Sequence, residues 1–441
     1  MAEQNTNHLA DLAQQILDTA EGLGASAAEV SIGEDAGFAV SVRDGDIETV
    51  EFNKDKGFGI SVYFGAKKGN ASTSDASRDS IEETVKAACN IARFTQVDDC
   101  NGLADAQLLA SEEIPLDLDH PWALEVDEAK EMALTCEAAA LSEDKRVKQC
   151  DSAQVSSSRS TKVYANSNGF SGTVVATRHG MSAQVIASVG EGMQRDYWYT
   201  VNRRSTLLEA AGLVGQKAAA RAVARLGASK VKSTKCPILF SPEMASGLIS
   251  HLLGAISGSA LYRKASFLLD SLGTQVADEQ LTLTEEPHLP GGLGSAWFDA
   301  EGVATKRKNI IENGVVATYL LGSYSARKLK LATTANAGGI HNLRVAGKKK
   351  SFDALLNEMG TGLLVTELMG QGVSPVTGDY SRGAAGFWVE NGQISHAVEE
   401  VTIASNLKDM FRGLVAIGDD VDTRGNIQVG SMLIDEMSLA S

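Results

Sequence analysis

The chain has 441 residues, of which 43% are hydrophobic and 22% charged. It is long enough for two or three buried cores and too apolar to be disordered. With 40 Lys and Arg against 56 Asp and Glu, its net charge of −16 excludes the basic footprint that nucleic acid or an anionic membrane surface demands.

No apolar run reaches the ~18–20 residues that span a bilayer. The N-terminal stretch 1–7 has neither a basic nor an apolar segment, so no secretory leader is expected. Five cysteines (Cys89, Cys100, Cys136, Cys150, Cys236) are scattered, odd in number and free of any Cys-x-x-Cys. That usage predicts a reducing, cytoplasmic setting and no zinc ribbon.

Leu9, Leu12, Ile16, Leu17, Ala20 and Leu23 recur at helical spacing, and Gly24 closes that first helix. Period-two segments follow at Val30–Ile32, Phe38–Val42, Val50–Phe52 and Phe58–Phe64, with a turn at Asp44-Gly45. They predict an antiparallel meander with one wet face. A second helix is expected from Ser80, with Glu83 completing a capping box. The acidic, aperiodic stretch 97–121 reads as a linker.

The pattern then restarts. A helix carries Val126, Ala129, Met132, Ala133, Cys136 and Ala140, strands run to about residue 202 with a turn at Asn166–Gly169, and an Ala-rich helix spans 205–226. Both halves therefore read helix–strands–helix and predict two similar layers packed together. Residues 229–235 form a polar, basic linker. The rest is Gly-rich, with strands expected near 308–321, 362–368, 384–390, 393–402 and 426–434, and helices near 243–257, 323–330 and 351–359. Asn313-Gly314 and Asn391-Gly392 are hairpin turns by composition. The fold class is α+β, in three segments: 1–120, 121–228 and a strand-rich 236–441.

Chemistry is sparse. No two of the seven histidines lie within five residues of one another, so a helical His-Glu-x-x-His site is absent. A lone histidine is more often a surface or hydrogen-bonded core residue than a ligand. There is no Gly-x-Ser-x-Gly elbow and no Walker A loop. Ser325 and Lys328 match Ser-x-x-Lys, but so do Ser229 and Lys232 in a linker; the plainer reading of Arg327, Lys328 and Lys330 is a basic, solvated helix face. Gly338-Gly339-Ile340-His341-Asn342 either lines a cleft or turns the chain. The segment Asp379–Val389 joins charge, aromatics and glycines, as a binding loop or a tight loop feeding a buried strand would. Cys89 and Cys136 sit on apolar helix faces as small core residues.

Several blocks together carry a resemblance. They are Ile256–Lys264, Phe298–Val303, Tyr324–Lys328, Gly339–Asn342, Met359–Gly362, Thr366–Val373 and, most specifically, Asp379–Glu390. In these the chain is similar to the TldE-type (PmbA) members of the TldD/TldE metallopeptidase family, over essentially its full length. TldD-type members carry His-Glu-x-x-x-His on a helix, with a later Cys completing a zinc site. An ungapped placement puts Ser250 and Ala255 at the two histidine positions and His251 at the glutamate, and no cysteine follows Cys236.

The resemblance thus implies no metal and no cofactor in this chain, with zinc expected in a TldD-type partner subunit. This chain would clamp unfolded peptides by backbone hydrogen bonding. Peptide-binding candidates by family position are His341, Asp379, Tyr380 and Arg382. Without that partner the same interface can pair with itself as a homodimer. Two other readings remain open: a stand-alone hydrolase using His251, His341 or Ser325, and a purely regulatory binding protein.

Overall fold

The computed structural model describes residues 2–441, with side chains from Asn7 onward. Met1 and the side chains of 2–6, on which the leader reading partly rests, lie outside the described residues. Among the described residues no helix is long and apolar enough to cross a membrane.

The architecture is α+β. In the N-terminal half, α1 (Ala2–Gly22), β1 (Ala27–Arg43), β2 (Asp46–Phe64), β3 (Lys67–Thr73) and α2 (Arg78–Phe94) are followed by the same arrangement again. That repeat is α3 (Val126–Glu143), β4 (Val147–Asn166), β5 (Ser171–Val189), β6 (Gly192–Asn202) and α4 (Ala211–Ala224). The halves are not stacked layers. They lie side by side in one antiparallel sheet of order β3-β2-β1-β4-β5-β6, joined where β1 pairs β4 from Glu29↔Asn166 to Val42↔Ala153.

Period two then does the sorting. Val30, Ile32, Val40 and Val42 of β1 share one face. The first two pack with α1 and α2, the second two with α3 and α4. All four helices therefore cover one face and leave the other open. Asp44-Gly45 turns the first hairpin with both residues at positive φ (54° and 80°), the geometry that matches strand twist.

Three local expectations shift. Helix α2 starts at Arg78 because Ser77, not Ser80, is its cap, accepting from the Ser80 backbone N–H; the Ser80 hydroxyl instead meets Thr73. Helix α4 begins at Ala211, since 205–207 forms only a short 3-10 turn. Residues 97–121 are not a free linker. Leu103, Ala104, Leu116 and Leu118 are buried, and the strap hydrogen-bonds to both halves of the molecule: Asp98 N–H to Ala66, Thr177 N–H to Leu118, Gly291 N–H to Leu116.

The C-terminal part contains β7 (Thr234–Phe240), α5 (Pro242–Ala255), α6 (Gly258–Tyr262), β8 (Thr282–Glu285), β9 (Lys308–Glu312), β10 (Val315–Val316), α7 (Ser323–Leu329), β11 (Leu343–Ala346) and β12 (Lys349–Lys350). Then come α8 (Phe352–Met359), β13 (Gly362–Met369), β14 (Asp379–Glu390), β15 (Gln393–Asn406), α9 (Leu407–Arg412), β16 (Leu414–Gly418), β17 (Ile427–Gln428) and β18 (Met432–Ala440).

Strand β18 pairs with β7 on one edge and with β15 and β16 on the other. This closes β7, β13, β14, β15 and β18 into a ring. One side of the ring packs on α5 through Ile238, Phe240, Leu363, Val365, Leu248, Ile249 and Leu252; the other lies under α8. A second sheet, β10-β9-β8-β11-β17, flanks it. The two halves meet through an aromatic cluster of Tyr164, Phe170, Trp297 and Phe298, set against Leu116 and Leu118 of the strap.

Candidate functional site

Helix α5 opens with Pro242 in its first turn, where a missing N–H costs nothing, and presents Ala245, Leu248, Ile249, Leu252 and Ala255 to the core. The positions that the family resemblance sets at the metal site are poor in donors. Ser250 points outward and donates its hydroxyl to the Ser246 carbonyl at 2.9 Å. Ala255 is 2% exposed and has no donor atom. His251 is half-buried, edge-on to the Tyr380 ring at 6.1 Å. Burial, then the charge of Arg382, pushes its pKa below the ordinary histidine value. A neighbouring cation and a buried methyl do not fit a zinc ion, which needs at least three protein donors.

Strand β14 supplies the rest of this corner. Tyr380 is buried, and burial raises its hydroxyl to about 12 despite the nearby Arg382. The Arg382 Nε is buried without a hydrogen-bond partner among the described residues. Asp379 lies elsewhere in role. It accepts from Thr377 Oγ1 at 2.6 Å and from Asn406 Nδ2 at 3.1 Å, bonds that hold its carboxyl below the usual range and tie the 374–379 turn to the start of α9.

His341 is separate from both. Its backbone N–H and its Nδ1 each lie 2.8 Å from Glu285 Oε1, which also accepts from Asn336 Nδ2 at 2.9 Å, while Lys308 pairs with the same carboxylate. The structure therefore brings His251, Tyr380 and Arg382 together, keeps Asp379 in a surface turn, and buries His341 in a charged knot under β8.

A cleft of about 860 Å³ lies where the open face of the N-terminal sheet meets the C-terminal part. The sheet contributes Ser31, Ser61, Asn70 and Ser72; opposite stand Ser257, Ser259, Tyr262, Glu301, Tyr324 and the backbone at Gly338 and Gly339. At one end Glu29 accepts from Tyr63 Oη and Tyr164 Oη at 2.8 Å each and from Lys68 Nζ at 3.1 Å. Burial, then that carboxylate, holds both tyrosine hydroxyls above their ordinary values.

The walls carry hydroxyls, amides and glycine backbone alongside the apolar Ile60 and Leu320 and the charged Glu29, Lys68 and Glu301. The hydroxyls, amides and backbone offer hydrogen bonds across the cleft. Among the described residues β3, the sheet's last strand, pairs only with β2. The alternation of small polar residues on β1 to β3 was the sequence signal for this wall, and its reading as a wet face did not say what it faces.

Ser325 also lines the cleft, but its hydroxyl donates to the Gly322 carbonyl at 3.0 Å while Lys328 is engaged by Asp98 at 2.9 Å. The Ser-x-x-Lys pair is not formed. Nor is the basic face of α7 free in solvent: Arg327 donates to the carbonyls of Cys100, Gly102 and Leu103, clamping the strap.

Residues 28–92, 119–226 and 233–441 match, in turn, domain 1, the central domain and the C-terminal domain of the PmbA/TldA metallopeptidases. The chain is 51% identical over 413 residues to the metalloprotease PmbA of Escherichia coli O157:H7, covering 94% of this chain and 92% of that one. A crystal structure from Bacteroides thetaiotaomicron, described as a putative modulator of DNA gyrase, superposes with a TM-score of 0.92 at 31% identity, covering 98% of both chains. TldE from Thermococcus kodakarensis shares the fold at a TM-score of 0.84 and 18% identity, over 98% of this chain and 100% of that one.

Proposed function

This chain belongs to the PmbA/TldD metallopeptidase family, and from that membership we propose that it serves as the metal-free, peptide-holding subunit of a heteromeric zinc metallopeptidase. The observation that carries this is α5. The helix that the family resemblance sets at the metal site offers an outward serine, a histidine beside Arg382 and a buried alanine. Zinc, and the polarised water that it supplies for hydrolysis, would then come from a TldD-type partner.

Helix α5 runs directly into Ser257–Tyr262, which lines the cleft. An unfolded peptide lying there would take hydrogen bonds from the sheet's polar face and from backbone, a mode that tolerates many sequences. Tyr380 and Arg382, near His251, would meet the peptide where it passes α5; Asp379 and His341 act by holding a turn and a buried ion pair in place. A cytoplasmic setting is part of the proposal and rests on five free thiols, four of them buried.

The cleft is tested by binding. A labelled unstructured peptide is expected to bind the isolated chain. Filling the cleft with Ser61→Trp should weaken that binding by about tenfold or more while leaving the melting temperature unchanged. Equal affinity for both proteins would remove the cleft from the account.

A further inference from the structure

The turn 299–303 ties two other segments into the C-terminal wall of the cleft. Asp299 Oδ1 accepts the backbone N–H groups of Glu301 at 2.9 Å and Val303 at 3.0 Å, which closes the turn on itself. Its Oδ2 reaches across and accepts the Ala337 N–H at 3.0 Å, while the Ala337 carbonyl accepts from the Ala300 N–H at 3.1 Å. Glu301 Oε2 accepts the Ser323 N–H, at the start of α7, at 2.7 Å. Gly302 sits at φ 78°, where a Cβ would lie 2.9 Å from the Phe170 ring and 3.0 Å from Tyr164, so the turn seats directly on the aromatic cluster.

What Ala337 holds in place is Gly338. This residue lines the cleft at φ 90°, and its own N–H and C=O make no hydrogen bond among the described residues. The loop closes behind it, with Gly339 N–H donating to the Asn336 carbonyl at 3.0 Å. Backbone groups left unpaired by the fold are satisfied by water or by a ligand. A cleft that holds peptides through their backbone needs such groups.

The staple is destabilising in itself. Asp299 is 3% exposed, and no cation pairs with it among the described residues. Burial pushes its carboxyl up to about 6 against the three backbone N–H bonds, and the Glu301 charge adds to the rise. The penalty is absent below the unfolded pKa of about 3.9 and complete once the pH passes the folded value. Stability given up at one buried group in this way is characteristic of a functional site.

We propose that Asp299 is a positioning residue: through Ala337 it holds the unpaired backbone of Gly338 where an extended peptide in the cleft hydrogen-bonds to it. This inference rests on the peptide-holding role of the cleft.

Asp299→Asn tests it. The variant keeps an acceptor for Glu301 and Val303, sets a side-chain N–H against that of Ala337, and removes the buried charge. Affinity for the labelled unstructured peptide is expected to fall about fivefold or more at pH 7, and hydrogen exchange at the Ala337 amide to speed up, with a melting temperature no lower than the parent's. Gly338→Ala, whose Cβ would meet that of Ala300 at 3.2 Å at a φ that disfavours it, should weaken binding comparably. Unchanged affinity in a folded Asp299→Asn would overturn the proposal; if that variant does not fold, unchanged affinity in Gly338→Ala overturns it instead. Ser61→Trp separates the two levels. If it weakens binding while Asp299→Asn does not, the cleft stands and this inference alone falls; if it leaves binding unchanged, both fall.

Discussion

Replacing Glu285 with Gln is expected to cost the C-terminal part about 3–5 kcal/mol, because it leaves Lys308 as a buried charge without a counterion. Glu285 is 0% exposed and takes hydrogen bonds from His341 and Asn336 besides its ion pair with Lys308. Burial pushes this carboxyl up, but the His341 bonds and the Lys308 charge outweigh it and hold the pKa below the ordinary glutamate value. A depressed carboxyl contributes stability that is present above its unfolded pKa of about 4.3 and lost as pH falls through the folded pKa. Urea denaturation followed by tryptophan fluorescence should therefore show a large loss for Glu285→Gln at pH 7. The two proteins should converge only once the pH has fallen below that depressed folded pKa. A loss under about 1 kcal/mol at pH 7 would mean that Lys308 is solvated despite its position.

Phe298→Ala should cost a similar amount, about 3–5 kcal/mol, and should also separate the molecule into two unfolding units. The Phe298 ring stands 4.5 Å from Trp297, 5.1 Å from Phe170 and 6.5 Å from Tyr164, bridging the two halves. The space is closely filled: a Cβ on Gly172 would come within 2.7 Å of the Phe298 ring. Truncation leaves a cavity that neither half can collapse into without the other moving. Calorimetry of the variant is expected to resolve two transitions. Since Tyr164 also closes the Glu29 end of the cleft, peptide binding should fall with it. A single transition close to that of the parent would show that the strap alone holds the halves together.

Much of the fold could be read from local pattern. The helical periodicity of α1, the alternation along β1 and β2, and turns such as Asn313-Gly314 and Asn391-Gly392, both at positive φ, each reflect short-range physics. The strap was opaque for the opposite reason. Leu103, Leu116 and Leu118 are single anchors with no period, and their backbone partners lie in β5, α7 and the 287–295 loop. Ser77 and Ser80 compete for one cap, and only the position of Thr73 decides between them.

At the site, the donor-poor face of α5 follows from its residues alone. The cleft does not, because it exists only once β1 to β3 are set opposite Tyr262, Glu301 and Tyr324. His341 looked like a cleft residue because its neighbours Gly338 and Gly339 are; two residues further along, the chain has already turned inward to Glu285.

The division of labour between a peptide-holding chain and a zinc-bearing partner is tested most directly by turnover of an unstructured peptide in the presence of zinc. This chain is assayed alone and then mixed with a TldD-type subunit. The account predicts no turnover by this chain alone and peptide cleavage in the mixture, reduced by Ser61→Trp in the cleft. Zinc-dependent cleavage by the chain alone would contradict it, and would mean that a catalytic centre exists away from Ser250, His251 and Ala255.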